Sequence, residues 1–150
     1  MYVLTFFAAL RVGEITGGPG QSTKNVITIN QFFFLRDELS NIVAAKLVLK
    51  RYRHNDPTKP VELLMYREHP ICPVSLMLDY VTLRGSAPGP RFCWADGAVI
   101  SGSYFTRSLE EVLQYCNLDE NRYQTHSFRI GGASWAAAKG MSDSQDESIR

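Results

Sequence analysis

Cysteine is scarce in this chain, and what there is does not pair. Cys72, Cys93 and Cys116 are odd in number and widely spaced, which leaves no disulfide framework, no redox pair and no paired metal-ligand spacing. Isolated thiols of this kind suit a reduced intracellular protein, each as a small apolar core residue. Long apolar runs are missing as well. No stretch approaches the roughly 20 consecutive apolar residues that span a bilayer. The apolar opening from Tyr2 to Leu10 lacks the basic leader of a signal peptide and runs directly into Arg11 and Glu14, so it is expected to be a core helix. Internal repeats and low-complexity runs are also absent. Excess charge is lacking too: a formal net charge of +1 argues neither for nor against nucleic acid.

What is present is the composition of one globular domain. A chain of 150 residues, 45% hydrophobic and 21% charged, can build a real core and is not expected to be disordered. Its charge is unevenly spread. Residues 46–59 hold Lys46, Lys50, Arg51, Arg53 and Lys59 against Asp56, a local +4 that leaves −3 for the rest. Such a strip can hold phosphate in a nearly neutral protein, although alone it reads more readily as the solvated face of a strand.

The most specified stretch is Thr125-His126-Ser127-Phe128-Arg129-Ile130-Gly131-Gly132. Thr125 or Ser127 is expected to cap a helix start, which puts His126 and Arg129 on one side of the opening turn. Free backbone N–H groups there favour an anion. Gly131, Gly132, Ala133, Ala136, Ala137 and Ala138 follow, small enough for the helix to lie close against a neighbour. Lys139 and Gly140 end it as a last-turn cation and a C′ glycine. Taken alone, His126 and Arg129 also read as two ordinary polar residues on a helix start.

A second stretch is Leu10-Arg11-Val12-Gly13-Glu14, which puts an arginine and a glutamate at the end of an apolar helix beside a glycine suited to a tight exit. Together, Leu10-Arg11-Val12-Gly13-Glu14 and His126-Ser127-Phe128-Arg129-Ile130-Gly131 closely resemble the two signature boxes of the tyrosine recombinase (phage integrase) family, in the right order and at about the right separation. Cys72-Pro73-Val74, Pro88-Gly89-Pro90 and Phe92-Cys93 through Asp96-Gly97 are similar to the recombinases of some eukaryotic mobile elements. The resemblance covers nearly the whole chain.

The resemblance implies DNA recombination and integration by strand cleavage and rejoining through a 3′-phosphotyrosine, without metal or nucleotide cofactor. It implies double-stranded DNA as partner, a homo-oligomer on that DNA, no membrane, and an intracellular, nuclear location. Phosphoryl transfer needs positive charge gathered around the phosphate oxygens. Arg11 and Arg129 suit this, because a guanidinium donates paired hydrogen bonds to one phosphate. Histidine exchanges a proton near neutral pH, which suits His126 to act as a base or as a donor. Glu14 reads as a structural partner that orients Arg11 or satisfies a helix end. The family's lysine on a β-hairpin corresponds here to Arg53, a departure, since arginine is a poorer proton donor than lysine. Lys50 or Lys59 can substitute for it, and Lys50, Arg51 and Lys59 are the expected DNA contacts.

The family would continue beyond this helix to a third catalytic residue and the nucleophilic tyrosine, and would begin with further helices and a DNA-clamping domain. Residues 1–150 therefore read as one partial catalytic domain. The seven tyrosines end at Tyr123, ahead of the signature helix, so this chain is expected to be inactive alone. The alternative is a non-catalytic DNA-binding module derived from a recombinase. A hydrolase built on a cysteine and His126 is disfavoured, since no cysteine has a nucleophile's setting.

The expected fold is α+β, mainly helical with a small three-stranded antiparallel sheet. A first helix spans residues 2 to about 12 with Val3, Phe6, Phe7 and Leu10 inward. Between Asn25 and Tyr66 the alternating stretches Val26–Ile29, Lys46–Leu49 and Val61–Met65 suggest three strands, and Phe32-Phe33-Phe34 also reads as strand. His54–Pro60 is the turn between the last two. Pro73 opens a helix that runs to Gly85. Ser101 or Ser103 opens another, with Phe105, Leu109, Val112, Leu113 and Cys116 at helical spacing. Lost covering helices would leave apolar surface bare, which predicts marginal solubility.

Overall fold

The computed structural model describes residues 1–18, 25–50, 59–67 and 70–140. Five helices and three strands occur among them: α1 Tyr2–Phe7, α2 Val12–Ile15, β1 Phe32–Arg36, β2 Ile42–Leu49, β3 Val61–Tyr66, α3 Pro73–Arg84, α4 Gly102–Tyr115 and α5 Thr125–Ala138. The strands form one antiparallel sheet in the order β1-β2-β3. This is the α+β architecture expected from the sequence.

The sheet register explains which face is buried. Phe32 pairs with Leu47 and Leu47 with Leu63, while Phe34 pairs with Ala45 and Ala45 with Met65. Strand side chains alternate between faces, so these rows point one way, into a core shared with Leu4, Leu10, Ile27, Val74, Phe92 and Phe105. The opposite face carries Phe33, Lys46 and Leu64 in one row, and Tyr66 one step further along. Phe33, Leu64 and Tyr66 are 45%, 40% and 53% exposed, an apolar patch crossed by the Lys46–Glu62 ion pair. α3 lies against the core side of β2 and β3 and also touches α1, and α1 in turn packs on α5. The sheet is thereby linked to the signature helix.

The helices after the sheet follow their local signals. Pro73 stands in the first turn of α3, and Gly85 closes it with φ +75°. Val74 and Met77 are buried along that helix. Ser101 caps α4, its hydroxyl accepting from the Tyr104 N–H at 3.1 Å. Phe105, Leu109 and Leu113 form its buried stripe, whereas Val112 is 52% exposed and Cys116 is exposed. That corrects the sequence reading: the stripe is narrower than five residues, and Cys116 is no core residue. Cys72 and Cys93 are half-buried.

Two further expectations are corrected. The first helix stops at Phe7 because Ala9 turns left-handed, φ +45°, and α2 starts anew at Val12. Leu4 and Thr5 are its buried residues, with Val3, Phe6 and Phe7 half-buried. The segment Val26–Ile29 is no strand. Val26 and Ile27 are both buried, which a strand with one solvated face does not allow for neighbours, and Thr28 bridges Pro90 instead. β1 begins at Phe32. The expected turn His54–Pro60 lies mostly outside the described residues.

Candidate phosphate-binding site

Arg11 owes its position to the way α1 ends. The Leu10 N–H donates to the Thr5 carbonyl at 3.0 Å and the Ala9 N–H to the Phe6 carbonyl at 3.2 Å. These are the two bonds of a Schellman ending, in which the residue after the C-cap is left-handed. Glycine is usual there; here it is Ala9, 1% exposed. The reversal sends Leu10 into the core and brings out Arg11 as the exposed N-cap of α2, with φ −82° and ψ 148°. The Glu14 carboxylate accepts from the Arg11 N–H at 2.6 Å, and the Glu14 N–H donates to the Arg11 carbonyl at 2.9 Å. Glu14 thus fixes the backbone that carries Arg11, the structural role expected of it. Gly13 does not supply the tight exit: its φ is not in the left-handed region, and a Cβ there would meet nothing within 4 Å among the described residues. Ala9 makes the turn.

α5 supplies the other two groups. Its N-cap is Gln124, not Thr125 or Ser127. Ser127 works in the reverse sense, its hydroxyl accepting from the Gln124 N–H at 3.0 Å, while the Ser127 N–H donates to the Gln124 carbonyl at 2.9 Å. His126 is exposed in this first turn and Arg129 half-buried just beyond it. Three residues apart, they lie about 60° apart around the helix and share one side. The helix closes as expected on Lys139, with Gly140 at φ +69°.

The contact between α5 and α1 brings the glycines that close the second box against the helix that leads into the first. A Cβ on Gly132 would overlap the Phe6 carbonyl oxygen and come within 3.0 Å of its carbon, and one on Gly131 would come within 3.1 Å of the Phe6 ring. Only glycine allows the helix backbones to meet this closely. Aromatic contacts flank the meeting point. Phe128 stacks on Tyr2 at 5.4 Å, and Trp135 meets Phe7 edge-on at 5.1 Å. The Tyr2 hydroxyl donates to the Phe105 carbonyl at 3.0 Å, adding α4 to the cluster. Box one follows directly from α1, and box two is the start of the helix packed on it.

The basic strip is only partly available. Lys46 lies on β2 and its ammonium donates to both Glu62 oxygens, at 3.2 and 3.3 Å, so its charge is balanced on the sheet. Lys50 is exposed just past the end of β2, and Lys59 is exposed just ahead of β3. Arg51 and Arg53 lie outside the described residues.

Sequence reasoning passed over Arg91. It is 2% exposed, and its Nη2 donates to the carbonyls of Ile29 at 2.7 Å and Phe32 at 3.2 Å. Burial, and then the neighbouring Arg84 charge, pull its pKa down to about 10. The available signal was a lone cation between Pro90 and Phe92 in an otherwise apolar stretch.

No helix among the described residues is long and apolar enough to cross a membrane. Comparison with family models, with curated proteins and with solved structures gives no match.

Proposed function

We propose that this chain is a partial catalytic domain of the tyrosine recombinase kind, which engages double-stranded DNA by its phosphates and does not cleave it by itself. The observation that carries the reading is the glycine-mediated contact of α5 on α1. It sets Arg11, at the turn leaving α1, and His126 and Arg129, at the start of α5, on adjoining elements although they come from opposite ends of the sequence. Two guanidinium groups and an imidazole are donors suited to a phosphodiester once they converge on it. Lys50 and Lys59, at the two ends of the β2–β3 connection, extend the positive surface along a duplex backbone.

Each group has a distinct part in this reading. Arg11 and Arg129 neutralise the non-bridging phosphate oxygens, His126 donates a hydrogen bond or accepts the attacking hydroxyl's proton, and Glu14 holds the Arg11 backbone. In the parent reaction a tyrosine oxygen attacks phosphorus and the 5′-hydroxyl leaves, giving a 3′-phosphotyrosine. No tyrosine follows Tyr123 in these residues, so the nucleophile of that reaction is not among them, and these 150 residues alone retain duplex DNA without covalent capture. The family's nuclear site of action and its assembly as a homo-oligomer on DNA belong to the same proposal. The test is a gel of the chain with nicked duplex DNA, run with and without detergent. Retention that detergent abolishes supports the reading. A detergent-stable adduct contradicts the non-cleaving part, and no retention at low salt contradicts the DNA reading itself.

A further inference from the structure

Arg91 is the one buried charged side chain among the described residues. Taking a guanidinium out of water is costly unless it is paired or fully hydrogen-bonded. Among the described residues no carboxylate pairs with it. One nitrogen serves the Ile29 and Phe32 carbonyls, the cation lies 5.1 Å over the Phe32 ring, and Nε has no partner among the described residues. An apolar side chain would fill the same volume without that cost. What the guanidinium does and an apolar group cannot is fasten two carbonyls.

Those carbonyls stand at a junction. The Arg91 N–H donates to the Ile27 carbonyl at 2.7 Å, and the Ile27 N–H donates to the Glu14 carbonyl at 2.8 Å. Glu14 is the residue that fixes Arg11. On the other side, Phe32 begins β1 and pairs with Leu47 of β2, the strand that ends beside Lys50. The loop leading into Arg91 is itself stapled, since Arg84 donates to the Pro90 carbonyl at 2.8 and 3.1 Å. Arg91 thus sits midway along a continuous set of hydrogen bonds between α2 and the sheet.

We propose that Arg91 is a positioning residue for DNA binding: by fastening Ile29 and Phe32 it fixes the separation between Arg11 on α2 and the cations at the end of β2, so that both meet phosphates of one duplex together. This rests on the DNA reading above. Lysine at this position keeps the charge, but its flexible stem carries a compact, strongly hydrated ammonium that is not pre-organised in a plane, so it holds the two carbonyls less firmly.

The experiment compares the wild-type chain with R91K and R91M. Duplex binding is measured by fluorescence anisotropy across a salt series, and amide hydrogen exchange at Ile27 is measured without DNA. Folded R91K should exchange faster at Ile27 and bind about tenfold more weakly, the worth of one charge-assisted contact. Its plot of log affinity against log salt should be shallower by about 0.9 for each phosphate no longer reached. R91M should show the same changes, larger; if it fails to fold, R91K decides. Faster exchange with unchanged affinity and slope in R91K would overturn the proposal, leaving Arg91 a purely structural residue, as would unchanged exchange or the failure of both variants to fold. Absence of binding by the wild-type chain would instead overturn the DNA reading and this proposal with it, so the two failures are distinguishable.

Discussion

Replacing Gly132 by alanine tests the helix contact on which the site is built. In an exposed helix interior this change stabilises by about 1 kcal/mol, because glycine gives up more backbone entropy than alanine. Here the added Cβ meets the Phe6 carbonyl, a main-chain group that cannot swing aside. That carbonyl also accepts the Ala9 N–H at 3.2 Å in the turn ending α1, so displacing it disturbs the turn that presents Arg11. Overpacking of this kind costs about 1–3 kcal/mol. Separating the helices also loosens the Tyr2–Phe128 and Phe7–Trp135 contacts, each worth about 0.5–1.5 kcal/mol. With the propensity gain subtracted, the net loss is about 3 kcal/mol, within a range of about 1–5 kcal/mol. Urea unfolding reads it as a lower midpoint at unchanged slope. Two controls isolate the cause. Among the described residues Gly131→Ala meets only the movable Phe6 ring, at 3.1 Å, and should stay within about 0.5 kcal/mol of wild type, since crowding offsets propensity. Gly13→Ala meets nothing within 4 Å among the described residues and should not destabilise. A Gly132→Ala chain as stable as wild type would refute the close-contact argument.

Other outcomes follow from single contacts. Ser101→Ala removes the hydroxyl that caps α4 and should cost about 1 kcal/mol in urea unfolding, while Ser103→Ala, outside the cap position, should cost less. The Asp37 carboxyl is held below its ordinary pKa by the Asn41 side chain and N–H, then by the Leu39 N–H. A depressed folded pKa gives stability that is present above the unfolded value of about 3.9 and lost as pH falls through the folded one. The melting-temperature gap between wild type and Asp37→Asn should therefore close on acidification below that range, and a gap independent of pH would refute it. The apolar outer face of the sheet should drive association, so Phe33→Thr with Leu64→Thr should raise the concentration at which light scattering begins.

Helices with their own punctuation were legible in the sequence. Pro73 and Gly85 bound α3, Ser101 opens α4, and Gly140 closes α5, each acting within a turn of its own position. The break after α1 was not legible, because a left-handed alanine carries no mark that a glycine would; its burial and the two hydrogen bonds of the turn hold it there. Val26–Ile29 has a strand's composition, but Ile27 and Ile29 bond to Glu14, Gly89 and Arg91, too distant in sequence for local pattern to find, while Thr28 turns back on Gln31. The same distance hid the pairing of Lys46 with Glu62, which depends on register across β2 and β3. Of the candidate site, the two boxes and the small-residue face of α5 could be read from the residues. That Gly132 in particular meets Phe6, and that Arg91 ties α2 to the sheet, could not, since both depend on tertiary contacts rather than on composition.

The most direct test of the central claim is the salt dependence of duplex DNA binding by the wild-type chain, Arg11→Ala and Arg129→Ala. If these arginines hold phosphates, the wild-type chain binds at low salt with log affinity falling linearly in log salt, and each variant binds more weakly with a slope shallower by about 0.9. Binding by both variants with wild-type affinity and slope, or no binding by the wild-type chain at low salt, would contradict the account.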